Sequence, residues 1–163
     1  MDSDDESSDS DNYYSVGLIS KVTENLYVTD FCGANNEDGL RKLGILRVIS
    51  IGDWSEQMCY KKFEGIEYLP IVIDDFEHED ISMYFSTTND FILNSPGPVL
   101  VHCWAGISRS IAIVIAHLIL SKGKSYLGAF LQIQKVRPFI KPNIGFIDAL
   151  GKLEREVLNL KSN

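Results

Sequence analysis

Between Val99 and Leu120 the chain runs Val-Leu-Val-His-Cys-Trp-Ala-Gly-Ile-Ser-Arg-Ser and then continues almost without a polar residue. Val99–His102 reads as a short buried strand, and Ser110 to Leu120 as a helix that is apolar nearly all round and needs cover on every side. Joining two buried elements through 103–109 forces a compact loop. A loop in that setting turns successive backbone N–H groups inward, and the helix start adds the positive end of its dipole. Gly106 permits the tight path, and the planar fork of Arg109 matches two oxygens of a phosphate. Cys103 lies at the bottom of this electropositive cradle. Cysteine thiols titrate near ~8.5, and helix N-termini and cations lower them to about 3.5–7.5. A thiolate at neutral pH is therefore expected, nucleophilic and readily oxidised. A lone cysteine at the end of a buried strand is ordinarily an inert core residue. Here nucleophile, glycine, arginine and hydroxyl occur together in one strand–loop–helix, which favours the reactive reading.

The flanking sequence supplies an α/β frame. Asn25–Thr29 reads as a short strand, and 36–43 as a helix ended by Gly44. Leu46–Ile51 is a β-branched run of the kind a buried central strand carries. Ile66–Ile73 is another, in which Pro70 marks an edge or a bend. Asp80 is placed to cap a helix bearing Ile81, Tyr84, Phe85, Phe91 and Ile92, which the Ser-Pro-Gly-Pro at 95–98 stops. Two further helical patterns, Tyr126–Val136 and Ile144–Leu160, are separated by Pro138 and Pro142. Strands interleaved with helices predict a central, mostly parallel twisted sheet of about five strands with helices on both faces. The chemistry then belongs at the C-terminal ends of the strands.

Charge and cysteine usage narrow the classes. The net charge is −8, but six acids (Asp2, Asp4, Asp5, Glu6, Asp9, Asp11) precede any base. The rest holds 17 acidic and 15 basic residues, without the clustered basic face that duplex nucleic acid requires. Residues 1–12 read as a disordered acidic tail and 13–163 as one catalytic domain. Ser3 and Ser8, each with an acid three positions on, fit an acidophilic kinase. No apolar run is long enough for a membrane span, and no secretory signal opens the chain. Three widely spaced cysteines give neither a disulfide framework nor a zinc site, which points to a reducing cytoplasmic or nuclear compartment.

The stretch His102-Cys103 through Arg109-Ser110 resembles the H-C-x5-R-[S/T] signature of protein tyrosine and dual-specificity phosphatases, and Ala-Gly-Ile-Ser-Arg-Ser is close to the dual-specificity form. The resemblance extends from about Ile19 to Leu153. It takes in Asn25-Leu26-Tyr27-Val28, Tyr84-Phe85, Arg137-Pro138, Pro142-Asn143 and Gly145-Phe146, and the match is to small, single-domain members. It implies a protein tyrosine phosphatase-like fold, phosphorylated protein substrates, and no cofactor or metal.

By that resemblance Cys103 forms a cysteinyl-phosphate while Trp104, Ala105, Gly106, Ile107, Ser108 and Arg109 hold the phosphate oxygens. Ser110 helps the sulfur leave. His102 orients the loop and supports the thiolate, or is a satisfied core histidine. Asp74 and Asp75 compete for the acid position; counting back from Asp80-Ile81 favours Asp75, and the other is a strand-end turn residue. His78 is expected to be exposed. The loop carries no lysine, which favours phosphoprotein over phosphoinositide or RNA 5′ ends. Trp104 either packs beneath the loop or walls the pocket. Cys32 and Cys59 are conceivable resolving thiols, although spare cysteines are ordinarily just buried. A binding module without catalysis on the same fold is the competing class.

Overall fold

The computed structural model describes residues 16–163; the acidic segment 1–12, its boundary at residue 13, and Ser3 and Ser8 lie outside the described residues. Five strands form one sheet in the order β1-β2-β5-β3-β4: β1 (Ser20–Thr23), β2 (Leu26–Thr29), β3 (Arg47–Gly52), β4 (Glu67–Val72) and β5 (Val99–His102). β1 and β2 form an antiparallel hairpin, and every other pairing is parallel. The helices are α1 (Phe31–Ala34), α2 (Glu37–Lys42), α3 (Trp54–Cys59), α4 (Phe85–Leu93), α5 (Arg109–Lys122), α6 (Tyr126–Val136) and α7 (Ile144–Lys161).

The alternation of each strand divides the core between the two faces of the sheet. Leu26, Val28, Ile49, Ile51, Val99 and Val101 join the buried α5 and Phe146 and Leu150 of α7. Tyr27, Val48 and Leu100 turn the other way, against Ala34, Leu40 and Ile45. From Arg109 to Ile119 every residue of α5 is buried, so the helix that starts behind the loop is the most enclosed in the fold. Its His117 contacts Asn89 Oδ1 through Nδ1 at 2.8 Å, and burial pushes its pKa down to about 4.

β4 lies at the sheet edge, where Pro70, unable to donate a ladder hydrogen bond, does no harm. Asp80 does cap a turn, but a tight 3-10 one at Ile81–Tyr84; α4 begins only at Phe85. α5 begins at Arg109, one residue before the expected start. β1, α1 and α3 were not expected. β1 is four residues with two polar positions, and α1 is a single turn. α3 did carry a signal, the Asp53-x-x-Glu56 capping box.

Because β2, β3, β4 and β5 run parallel, Asp30, Asp53, Ile73 and Cys103 all leave the sheet at one edge. Leu100 sits on the central strand with no exposed surface. Leu100→Ala is expected to lower unfolding stability in urea by about 2–5 kcal/mol, the range for a buried large-to-small change. A loss under about 1 kcal/mol contradicts its central placement.

Candidate active site

The loop after β5 is defined by where its carbonyls go. The Cys103 oxygen faces the His102 ring, 3.2 Å from Nδ1. The Trp104 oxygen accepts from Phe31 N at 3.1 Å, Ile107 from Lys141 N at 2.9 Å, and Ser108 from Ala112 N at 2.9 Å. Arg137 takes the two between: Nε donates to the Gly106 oxygen at 2.7 Å and Nη2 to the Ala105 oxygen at 3.5 Å. Every carbonyl from Cys103 to Ser108 is thus held from outside. In a trans peptide the N–H opposes the preceding carbonyl, so the amides of Trp104 through Arg109 turn inward. Gly106 N lies 3.2 Å from Cys103 Sγ, and so does the Ser110 hydroxyl.

Gly106 has φ +67°, and a Cβ there would stand 2.5 Å from Arg137 Nη2 and 2.8 Å from the Thr29 carbonyl. No other residue fits that position without displacing the anchor. Arg137 has no exposed surface and also donates through Nη1 to the Leu18 carbonyl at 3.0 Å and Ser20 Oγ at 3.2 Å. Burial lowers its pKa, which the charges of Asp30 and Cys103 oppose.

His102 and Ser50 are register partners on β5 and β3, and His102 Nε2 lies 2.9 Å from Ser50 Oγ. Burial pushes the imidazole down to about 4, so it is neutral at pH 7. Because the Cys103 carbonyl can only accept, the proton belongs on Nδ1 and Nε2 accepts from Ser50. The side chain is at once a satisfied core histidine and an anchor of the loop, and whatever it contributes to the thiol passes through that hydrogen bond rather than through charge. Tyr60 stands edge-on to it at 4.5 Å, its hydroxyl donating to the Ile51 carbonyl at 2.9 Å; burial and the Glu56 charge raise its pKa.

Asp75 reaches the cradle from the loop after β4. Its Oδ1 accepts from Ser108 Oγ at 2.7 Å and from Asn143 Nδ2 at 2.9 Å, while Asn143 N donates to the same Ser108 hydroxyl at 2.9 Å. The N-cap hydroxyl of α5 is thereby used on the aspartate instead of its own helix. Gly145, at the start of α7, leaves room for the Glu77 carbonyl, which a Cβ would strike. Asp74 makes no side-chain hydrogen bond to the loop among the described residues. His78 is exposed and stacks on Phe76.

Arg109 lies with an 8% exposed side chain, its Nη1 2.8 Å and Nη2 3.1 Å from the two oxygens of Glu56. Nη1 also donates to the Ile73 carbonyl at 3.0 Å. Its Nε is buried without a protein partner. The negative neighbours raise its pKa against the opposing effect of burial. Trp104 does not pack beneath the loop: it stacks on Phe31 at 4.1 Å and is more than a third exposed, at the rim. Cys32 is half-buried, with its thiol pushed up by burial and Asp30. Cys59 is exposed rather than buried. Arg137 and Asn143 were legible only as part of the resemblance, and Glu56 only as half of a capping box.

A cysteine ringed by inward amides, with an arginine beside it at the C-terminal edge of a parallel sheet, defines the class of cysteine-based phosphatases. Residues 26–156 match the family described as "Dual specificity phosphatase, catalytic domain", and the chain belongs to it. It is 36% identical over 140 residues to "Putative tyrosine phosphatase 123R" of Invertebrate iridescent virus 6, covering 83% of this chain and 91% of that one. It is 35% identical over 149 residues to "Dual specificity protein phosphatase 1-A" of Xenopus laevis, covering 89% of this chain but 39% of that relative; the chain thus spans about two fifths of it. Among solved structures, the human "tyrosine phosphatase-like serine/threonine/tyrosine-interacting protein" superposes with TM-score 0.81 at 35% identity, over 86% of this chain and 97% of that one. Among the described residues no helix is long and apolar enough to cross a membrane.

The two neutral histidines set a pH dependence. An unfolded histidine takes up its proton near ~6.5, whereas His102 and His117 do so at about 4 when folded. The unfolded state therefore binds more protons in that window, and stability, full above pH ~6.5, falls as pH drops towards 4. Unfolding free energy at pH 5.5 is expected to be about 2–3 kcal/mol below that at pH 7.5, at ~1.4 kcal/mol per group per pH unit. Equal stability at the two values means that the buried imidazoles carry charge.

Proposed function

We propose that the chain is a protein phosphatase that hydrolyses phosphotyrosine and phosphoserine or phosphothreonine through a cysteinyl-phosphate on Cys103. The observation that carries the reading is the pairing of inward amides around the sulfur with the buried, unpartnered Nε of Arg109. A buried donor without an acceptor is costly, and a phosphate oxygen supplies one.

Cys103 Sγ attacks phosphorus as a thiolate, and the ester oxygen leaves with a proton from Asp75. The amides of Trp104, Ala105, Gly106, Ile107, Ser108 and Arg109, with the Arg109 guanidinium, hold the three equatorial oxygens as charge shifts among them. Water, deprotonated by Asp75, then attacks phosphorus. The S–P bond breaks, and the Ser110 hydroxyl, 3.2 Å from the sulfur, donates to the departing thiolate. The fixed Oδ1 of Asp75 leaves Oδ2 for the proton, which supports Asp75 over Asp74. The lysine-free loop supports phosphoproteins over phosphoinositides and RNA 5′ ends. A second reading, phospho-residue binding without turnover, draws on the likeness to the phosphatase-like interacting protein.

Side-by-side assay of phosphopeptides, phosphoinositides and 5′-triphosphorylated RNA tests the substrate class, with release from phosphopeptides expected. Cys103→Ser is expected to abolish turnover. Asp75→Asn is expected to lower kcat by about 10²–10⁴-fold on alkyl phosphates, less on aryl esters whose leaving group needs no proton, while Asp74→Asn stays within about threefold. Collapse in Asp74→Asn alone reverses the assignment, and wild-type protein inert at every pH favours the binder.

A further inference from the structure

We infer that the groove between α7 and the segment leading from β4 into α4 is a docking surface for a lysine- and arginine-bearing stretch of the phosphoprotein substrate, beside its phosphoresidue. The inference deepens the reading of the chain as a protein phosphatase and rests on it. The groove has a volume of about 690 Å³. Its floor is apolar: Phe85 is buried, and Leu120, Ala149 and Leu153 are half-buried. Glu77, Glu79 and Asp80 line it from the segment before the 3-10 turn, and Asp148 and Glu156 from α7, against a single lysine, Lys152. Four negative charges are in excess, and among the described residues none of the five carboxylates is in an ion pair. His78, the other titratable side chain along the groove, stacks on Phe76.

The spacing of these charges defines the occupant. Asp148, Lys152 and Glu156 stand one turn apart on a single face of α7. Among the described residues no three acids converge as metal ligands would. An extended polymer carrying several cations fits such a row, and a single ion does not. Lysine and arginine combine an apolar stem with a cationic head, so an apolar floor between carboxylates suits both parts. Residues 1–11, with six acids and no base, are excluded as the occupant by like charge.

The groove opens beside the phosphate site. Glu77 and Gly145 both line it, and they approach so closely that a Cβ on Gly145 would strike the Glu77 carbonyl. Two positions before them stand Asp75 and Asn143, joined at 2.9 Å, with Asp75 also bonded to Ser108 of the loop. From Gly145 to Glu156 the helix rises about 16 Å, which an extended chain spans in about five residues. A phosphopeptide seated on Cys103 therefore lays one of its flanks along the groove, within about seven positions of the phosphoresidue.

The test uses tyrosine phosphopeptides with lysines or glutamines about three to seven positions from the phosphotyrosine, on the N-terminal or the C-terminal side. On one flank, lysine is expected to raise kcat/KM about tenfold over glutamine, through KM, with the gain fading at high ionic strength. Fluorescence anisotropy of the same peptides on Cys103→Ser protein is expected to give the same ratio. Charge reversal at two exposed positions, Asp148→Lys with Glu156→Lys, is expected to bring the ratio within about twofold and to leave turnover of a small aryl phosphate unchanged. Where that variant does not fold, Asp148→Asn with Glu156→Gln is expected to cut the ratio to about threefold, whereas Lys152→Glu raises it above the wild-type value. Equal values for lysine and glutamine peptides on both flanks, or a preference that the reversal leaves intact, overturns the docking surface. A wild type that hydrolyses no phosphate ester, with the lysine ratio kept in binding, removes the phosphatase reading alone; protein that neither hydrolyses nor binds any of the peptides removes both.

Discussion

The structure depends on the loop of residues 103–108 being held by its carbonyls from outside. A chain segment that turns its amides into a common centre concentrates partial positive charge there, and nothing within the segment compels it to do so. The compulsion comes from six acceptors engaged by surrounding elements: His102, Phe31, Arg137, Lys141 and Ala112 supply the donors. Arg137 takes the middle two from a fully buried position. Burying that cation is unfavourable in itself. Four side-chain hydrogen bonds and the nearby charge of Asp30 compensate for it.

Two further anchors act on side chains. Ser108 and Asn143 fix one oxygen of Asp75, and Glu56 fixes one edge of Arg109. In both cases part of a polar group is committed to a protein partner while another of its atoms, Asp75 Oδ2 or Arg109 Nε, is not. The sheet makes this economical, because four parallel strands deliver the contributing turns to one edge without long loops.

The loop and its order of elements could be read directly: Val99–Ser110 carried the strand, the glycine, the arginine and the hydroxyl in consecutive positions. Pro70 announced the edge strand, and the burial of α5 followed from its lack of polar residues. What could not be read were contacts made across the fold. Glu56 and Arg109 meet over a separation of 53 residues and Arg137 meets Leu18 over 119, and neither side chain announces its partner in its local sequence. The neutrality of His102 was equally hidden, because it arises from enclosure by Ser50 and Tyr60 and not from neighbours in the chain. β1 was missed because four half-polar residues form a strand only when β2 is already beside them.

Arg137 has one more consequence. Its guanidinium ties the loop in the middle of the chain to Leu18 and Ser20 near its beginning, and itself lies just before the last helix. The cradle therefore has no part-built form: a nascent chain that has reached Arg109 holds the nucleophile and its arginine but neither the anchor nor the brace from Asn143. During synthesis the sulfur stays outside an organised phosphate site until the C-terminal quarter has emerged and closed the fold, so that chemical competence and the completed tertiary structure arrive in one step.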